Sequence, residues 1–597
     1  MPDRRPLAPT DDAAPLVDAT LSRHGHDPHQ LLQLLRDLQD TTCWLPRPLL
    51  ARVATGLGLP LARVEGVAGA YRFLHLTPGA RWEILFADNV TERMAGSEAL
   101  MAALCHRLGV TPGAVRADGH VRVDRTSCTG LCDQGPALLV NHRHVVTRLD
   151  AGRVDTLADQ VARDAPVETW PAEWRRVDDQ VRRAVRLLAD PPPRGAALAA
   201  ALARTPEQLL GEIGDARLRG RGGAGFDTAT KWRQCRGAAD PTRVVACNAD
   251  EGEPGNFKDR VLLGRHAEEL IDGMTIAAWA VGASVGLIYL RGEYPWLRDH
   301  LAACLERRRA DGLLGRDLSG RPGFAFDIAL HLGAGAYVCG EETAMIDSLE
   351  GGRGTPRIRP PFPTEKGWRG HPTIVNNVET FVAAAQVALH GAAVWRSLGT
   401  RESAGTMCHA VSGDCERPGV YEFPFGTRVE EILDACGAHD AQAVQVGGPS
   451  GTGIGRSEFS RRICFEDLRS AGAFTVFGPS RDLFDVARQY THFFAHESCG
   501  FCTPCRVGTT QLARRMDALA DGRGSTHDLS MLRELEVLLH AGSHCGLGVT
   551  AANPVRDTMA RFPDAYARRL VRHDPAPAFD LEVAAAPART LRAETTA

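Results

Sequence analysis

At 597 residues the chain is too long for a single hydrophobic core, and roughly three to five domains are expected. Hydrophobic residues at 44% and charged residues at 24% are those of an ordinary globular protein, and a net charge of −4 offers no reason to expect nucleic acid or an anionic membrane as partner. No apolar run approaches the ~20 residues of a membrane span. The opening MPDRRPLAPTDDAAP has arginines but no apolar stretch, so it does not read as a secretory signal. Sixteen cysteines then point to reduced thiols, metal ligands or packing, and the expected compartment is the cytoplasm.

In chain order, residues 1–80 read as a helical unit. LLQLLRDLQD and PLLARVATGL place apolar side chains at three- and four-residue spacing on either side of the breaker CWLPRP. Over 81–170, WEILFADN, SEALMAALCHRLG, HVRVDR and ALLVNHRHVVTRL alternate strand and helix patterns, which predicts a small α/β layer. The run Pro191-Pro192-Pro193 reads as a linker. Over 190–404, strands such as VVACNAD and SVGLIYLR alternate with helices such as AEELIDGMTIAAWAVGA, the form of a Rossmann-like domain with a largely parallel sheet. Short β-like pieces and the helix VEEILDACG over 405–485 fit a β-grasp-like domain. Residues 486–575 return to helical stripes, and the Ala- and charge-rich tail 576–597 is expected to be disordered. The fold class is therefore multidomain α/β with a C-terminal helical bundle.

The strongest chemical signal lies in that bundle. Cys499, Cys502 and Cys505 form a C-x2-C-x2-C triplet, and Cys545 follows in GSHCGLG. Three thiolates on one tight loop with a fourth from a neighbouring segment suit a [4Fe–4S] cluster or a four-thiolate zinc, and the spacing alone leaves both open.

The central domain holds the other signals. Gly220, Gly222 and Gly225 satisfy G-x-G-x-x-G, but the preceding TPEQLLGEIGDARLRG is an amphipathic helix, not the strand of a dinucleotide fingerprint. Glycines still let backbone N–H groups approach a phosphate, and Arg219, Arg221 and Lys231 add positive charge, so a phosphate-bearing cofactor is expected. The strand VVAC runs into Asn248, Asp250, Glu251 and Glu253, the layout of a crevice at the carboxyl end of a sheet. Tyr337, Gly340, Glu341 and Glu342 supply a second Gly-rich loop with an acidic pair, and Asn376 and Asn377 an amide pair.

RGRGGAGF, CNADEGEPGNFKDR, GAGAYVCGEETA, GTPRIRPPFP, NNVET and ESCGFCTPCR, in that order, resemble the NADH-oxidising flavoprotein subunit of respiratory complex I and its relatives, over about 200–560. The resemblance implies an FMN shell of Gly220, Arg221, Gly222, Gly223, Lys231, Asn248, Asp250, Glu251, Tyr337, Gly340, Glu341, Asn376, Asn377 and Thr380. It implies an NADH shell of Phe226, Glu253, Glu342, Arg359 and Phe362, in which the two phenylalanines stack on the nicotinamide and adenine rings, and Arg359 stands where relatives carry lysine. It also turns Cys499, Cys502, Cys505 and Cys545 into ligands of a [4Fe–4S] cluster.

The N-terminal region resembles the small thioredoxin-like iron–sulfur subunit of the same assemblies, fused here to the flavoprotein. That family binds [2Fe–2S] through a C-x4-C and a C-x3-C pair. Cys128 and Cys132 match the second pair, but Ala87 and Glu92 occupy the first, and Cys43 and Cys105 are no replacement, so an N-terminal [2Fe–2S] cluster is not expected. The fusion is most similar to the diaphorase flavoproteins of NAD-reducing hydrogenases. It implies NAD(H) as substrate, with an iron–sulfur electron-transfer subunit and hydrogenase subunits as partners in a hetero-oligomer. A formate dehydrogenase or quinone-reducing context shares most of the motifs. A zinc-stabilised scaffold and a flavin-free nucleotide sensor are the readings from other classes.

Overall fold

The first helices form where the leucine spacing places them: Ala14–Arg23, Leu31–Thr42, Arg47–Leu57 and Leu61–Ala68. Leu31, Leu34, Leu35 and Leu38 of the second are fully buried, and the chain leaves it through Cys43 in the left-handed conformation, at φ +66°. The computed structural model describes Pro6, residues 13–571 and residues 585–586, so the tail expected at 576–597 lies, apart from Ala585 and Ala586, outside the described residues.

A four-stranded layer follows, made of β1 (Trp82–Ala87), β2 (Val121–Thr126), β3 (Leu138–Val140) and β4 (His144–Val146). Its order is β2-β1-β3-β4, with β1 and β2 parallel and the other pairs antiparallel. Helices Ser97–Leu108 and Ala151–Ala162 bury Met101, Leu104, Val154 and Leu157 with Ile84 and Phe86 of β1. The central sheet consists of β6 (Val244–Ala249), β7 (Val285–Leu290), β8 (Asp327–Leu332) and β9 (Thr373–Asn377), all parallel in the order β8-β7-β6-β9.

Period-two alternation in this sheet decides what covers each face. Val245, Cys247 and Ala249 of β6 join Ile288 and Leu290 in one core with helices Ala267–Val281 and Val378–His390. Val244 and Ala246 join Leu287 and Tyr289 in a second core that includes the N-terminal leucine helices and the C-terminal helical domain. The ends of the chain thus close the open face of the middle domain.

A short strand, β5 (Val181–Arg183), has no counterpart in the sequence reading. It pairs in parallel with the edge of a mixed sheet built from β10 (Thr406–Gly413), β11 (Gly419–Pro424), β12 (Ala443–Val446), β13 (Thr452–Gly455) and β14 (Ala473–Phe477), ordered β13-β12-β14-β10-β11-β5. Directly after β5, the N–H groups of Val185, Arg186, Leu187 and Leu188 all donate to the carboxylate of Glu422, which is fully buried on β11. The stretch leading to the proline run is therefore docked rather than loose. From Leu483 to Ala567 the chain is helical, with long helices Leu483–Glu497, Thr503–Ala520 and Thr526–Gly542.

Replacing Glu422 by Ala strands four donors at once, those of Leu187 and Leu188 buried, where each lost bond to a charged group is worth about 1.5–3 kcal/mol. The expected outcome is a Glu422→Ala chain whose thermal midpoint falls by several degrees, with Glu422→Gln intermediate, measured by calorimetry.

Candidate functional site at the carboxyl end of the parallel sheet

β6 ends in polar residues inside the protein. Asn248 donates from Nδ2 to the Gly340 carbonyl (2.8 Å) and accepts the N–H of Asp250 at Oδ1 (3.1 Å), which joins the end of β6 to the turn Tyr337–Gly340. Asp250 is held by burial well above the usual carboxylate range, and its Oδ2 is buried with no partner among the described residues. An unmet acceptor at this position is the kind of group a bound ligand satisfies.

Glu251 has a structural occupation. Its carboxylate accepts the N–H groups of Asp259 (2.8 Å) and Arg260 (3.1 Å) at the start of helix Lys258–Arg265, and the Tyr294 hydroxyl at 2.8 Å. Glu253 accepts from the Tyr337 hydroxyl (2.6 Å) and from the Ser450 N–H (2.8 Å) and hydroxyl (3.1 Å). Burial pushes both acids up to about 7, partly offset by these donors.

The glycine loop lies above this end. Gly220 N–H donates to the Phe226 carbonyl at 2.9 Å, closing the loop ahead of helix Thr228–Gly237. Gly223 and Gly225 sit at φ +113° and +65°, and a Cβ on Gly225 would meet the Phe465 ring at 2.3 Å, so only glycine fits there. The N–H groups of Gly222, Gly223 and Gly225 find no acceptor among the described residues, and those of Gly222 and Gly223 lie on the less buried part of the loop, where an anion can reach.

Arg221 does not supply the loop with charge. Its guanidinium is buried between Trp395 and Phe425, donating to the carbonyls of Arg219, Ala404 and Thr406, and its N–H donates to Thr380 Oγ1 at 2.9 Å. Arg219 lies over the Phe465 ring and donates to the Gly225 carbonyl. The expectation that these two arginines face a phosphate is corrected: both brace the loop from outside. Lys231 Nζ contacts Glu342 (2.9 Å) and the Val375 carbonyl (3.0 Å). Glu341 caps helix Glu342–Leu349 through the N–H groups of Thr343 and Ala344, with Arg359 at 3.7 Å from both Glu341 and Glu342. Asn376 accepts the Trp232 indole N–H at 2.9 Å, and Asn377 bonds Asp259 at 2.6 Å and Lys258 at 3.3 Å. Phe226 and Phe362 are each 49% exposed, in a protein that buries most of its aromatics.

Sequence reading missed several residues. Lys258, fully buried, pairs with Asp259 at 2.6 Å and Glu379 at 3.0 Å. Arg291 donates to the Glu251 and Cys128 carbonyls, and Arg260 clasps Asp133 with two 2.9 Å bonds. The charges in NFKDR and LRGEYPW, next to apolar strand and helix patterns, are the signal that marks them.

The cysteine site adjoins this region. Cys502 precedes helix Thr503–Ala520, Cys505 lies in its first turn, and Cys545 precedes the short helix Gly546–Thr550. With Cys499 they line one pocket together with Val338, Pro356, Phe501 and His544. A tetrahedral zinc needs its sulfurs within about 3.8 Å of one another. No three of these thiols lie within 4.8 Å of one another, wider than the sulfur spacing around a single tetrahedral ion. Burial raises Cys499, Cys545 and, to about 12, Cys505, so cluster assembly must displace protons.

Cys128 and Cys132 lie buried with Sγ atoms 3.4 Å apart, and the bond between them pulls Cys128 down and Cys132 up. Glu92 nearby is buried, accepts the Ala137 N–H at 2.9 Å, and is held by burial well above the usual carboxylate range. Ala87 offers no donor atom, and Glu92 does not close to within 4.8 Å of both sulfurs. A four-thiolate [2Fe–2S] cluster does not fit these residues.

Residues 17–162 match the family model of the thioredoxin-like [2Fe-2S] ferredoxin, 213–386 that of the Nuo51 FMN-binding domain, and 485–569 that of the NADH-ubiquinone oxidoreductase-F iron-sulfur binding region. The NAD-reducing hydrogenase HoxS subunit alpha of Cupriavidus necator is 41% identical over 95% of this chain and 97% of its own length. The chain belongs to this family of hydrogenase alpha subunits. A solved NAD+-reducing [NiFe]-hydrogenase in the H2-reduced state has a chain 43% identical, with a TM-score of 0.88 over 95% of this chain and 97% of that one. An NADH-quinone oxidoreductase subunit of Rhizobium meliloti is 38% identical over 60% of this chain and 87% of its own length. The HoxS alpha match thus runs along nearly the whole chain, where the quinone-reductase match spans only part of it. Among the described residues no helix is long and apolar enough to cross a membrane.

In this hydrogenase family member, Glu253 is neutral below about pH 7 and charged above it. NADH binding is expected to weaken by about three- to tenfold as pH rises from 6 to 8, the size of ~1 kcal/mol of repulsion between that added charge and an anionic dinucleotide. Glu253→Gln should flatten that window in calorimetric titrations.

Proposed function

We propose that this chain is the diaphorase module of an NAD-reducing hydrogenase, exchanging hydride between NAD(H) and FMN and single electrons between FMN and one [4Fe–4S] cluster. The observation that carries this reading is the turn Tyr337–Gly340. Tyr337 reaches Glu253 on the nucleotide side, and its neighbour Val338 lines the cysteine pocket. FMN, when bound, supplies the conversion between two-electron and one-electron transfer. The chain's own residues bind and orient.

The open glycine N–H groups and the unmet Asp250 Oδ2 receive polar groups of the flavin nucleotide, and Asn248, Asn376 and Asn377 shape the pocket floor through the contacts above. Phe226 and Phe362 offer exposed faces to the NAD(H) rings, while Glu253, Glu342 and Arg359 set the charge around it. Tyr337 and Ser450 hold Glu253 and so adjust how much negative charge faces the dinucleotide. Glu251, Lys258, Asp259 and Glu379 support this shell from behind, since their own bonds are made within the protein.

Cys499, Cys502, Cys505 and Cys545 hold the [4Fe–4S] cluster, through which electrons pass to an iron–sulfur subunit and hydrogenase subunits of a cytoplasmic hetero-oligomer. The thioredoxin-like layer carries no cluster. It docks onto the flavin domain through Arg260–Asp133 and Arg291 to the Cys128 carbonyl. The mixed sheet over 405–485 is the β-grasp-like domain, contributing Ser450 to the nucleotide side. Hydrogen is favoured over formate or quinone as the ultimate substrate by the match along nearly the whole chain to a hydrogenase subunit.

The test is a count on the purified, reconstituted chain, combined with NADH-dependent reduction of an artificial acceptor. About one FMN and about four iron atoms per chain are expected, with activity. A colourless zinc protein contradicts the redox reading, and about six iron atoms contradict the empty N-terminal layer. Cys545→Ser should lose most of the iron while retaining flavin.

A further inference from the structure

Three side chains from separate segments converge outside the cysteine and nucleotide sites. Glu83 on β1 is buried, with a side chain only 2% exposed, and presents each carboxylate oxygen to a different imidazole. His75 Nε2, on the segment that leaves the N-terminal helices, lies 2.6 Å from Oε1, and His142 Nε2, on the turn between β3 and β4, lies 2.7 Å from Oε2. Among the described residues this is the one group of three or more His, Cys, Asp or Glu side chains whose ligand atoms all lie within 4.8 Å of one another.

The surrounding structure fixes these groups. Gln39 accepts the His75 N–H at 2.6 Å, and Asn141 exchanges bonds with the Glu83 backbone at 2.7 and 2.8 Å. His142 sits in the left-handed region at φ +54°, with its ring edge-on to Phe73 at 4.3 Å. Arg122, the other cation near Glu83 at 3.9 Å, is paired more closely with Asp124 at 2.5 Å.

We infer that His75, Glu83 and His142 form a site for a divalent transition metal, of which zinc is the best match, tying the N-terminal helical unit to the thioredoxin-like layer. Two imidazoles and a carboxylate are a borderline-soft N/O donor set that suits zinc rather than calcium or magnesium. To admit a tetrahedral ion at about 2.0–2.1 Å, each imidazole nitrogen must draw away from its carboxylate oxygen by about 0.7 Å, from 2.6 and 2.7 Å to about 3.3 Å. His75 is the exposed member, with 12% of its side chain open, and gives the route for exchange.

The experiment uses the full chain loaded with flavin and cluster, so that Cys499, Cys502, Cys505 and Cys545 are occupied, and zinc sulfate as the probe. Equilibrium dialysis should give about one tight zinc per chain. Its X-ray absorption edge should show nitrogen and oxygen neighbours at about 2.0–2.1 Å with no sulfur at about 2.3 Å. His142→Gln and Glu83→Gln should each weaken binding at least tenfold. If either variant fails to fold, His75→Gln, at the more open position, makes the same comparison. No retained zinc, a sulfur shell, or equal binding by the folded variants overturns the site, in which case the three residues are a buried hydrogen-bonded clasp.

Discussion

The run of acids at the end of β6 is the constraint on which the rest of the molecule depends. Asp250, Glu251 and Glu253 follow a strand that opens with four buried apolar residues, and enter a low-dielectric region where an unpaired carboxylate is costly. Two of the three recruit help from different parts of the chain. Glu251 takes the start of helix Lys258–Arg265 and Tyr294, and Glu253 takes Tyr337 together with Ser450 from the mixed sheet. Arg291 extends the same network to the Cys128 carbonyl in the thioredoxin-like layer. Satisfying Glu251 and Glu253 thus brings three domains together at one point, while Asp250 keeps an unmet oxygen.

The same arrangement joins the two redox sites. Tyr337 is fixed at its hydroxyl by Glu253, at its N–H by Glu497 (3.1 Å), and at its ring by Phe493 (5.0 Å) of the helix that leads into the cysteine loop. His544, beside Cys545, bonds the Arg357 carbonyl at 3.0 Å. The cluster-binding domain is therefore clamped on both sides of its pocket to loops of the flavin domain.

Local pattern made much of this legible. Leucine spacing located the N-terminal helices, alternation located β6 and β7, and C-x2-C-x2-C located three of the four thiols on one loop. What stayed hidden depends on distant partners. Val181–Arg183 is too short and too polar to read as a strand, and it becomes one only because β11 offers an open edge. Glu422 looks like a solvent-facing strand residue until four N–H groups from 185–188 close on it. Arg221 sits in a glycine loop, where charge suggests phosphate, yet Trp395, Phe425 and two carbonyls from 404–406 take its guanidinium. Glu251, adjacent to two acids that face ligand space, turned out to cap a helix. Sequence shows which residues carry charge; only the assembled fold shows where that charge is used.

The most direct test of the central claim is an anaerobic titration of the reconstituted chain with NADH, followed by low-temperature electron paramagnetic resonance. Electron passage from the nucleotide side to the cysteine site predicts one reduced [4Fe–4S] signal that grows with NADH and is absent in Cys545→Ser. Bleaching of the flavin with no cluster signal at any NADH concentration, in a chain whose cluster is present and reducible by dithionite, would contradict it.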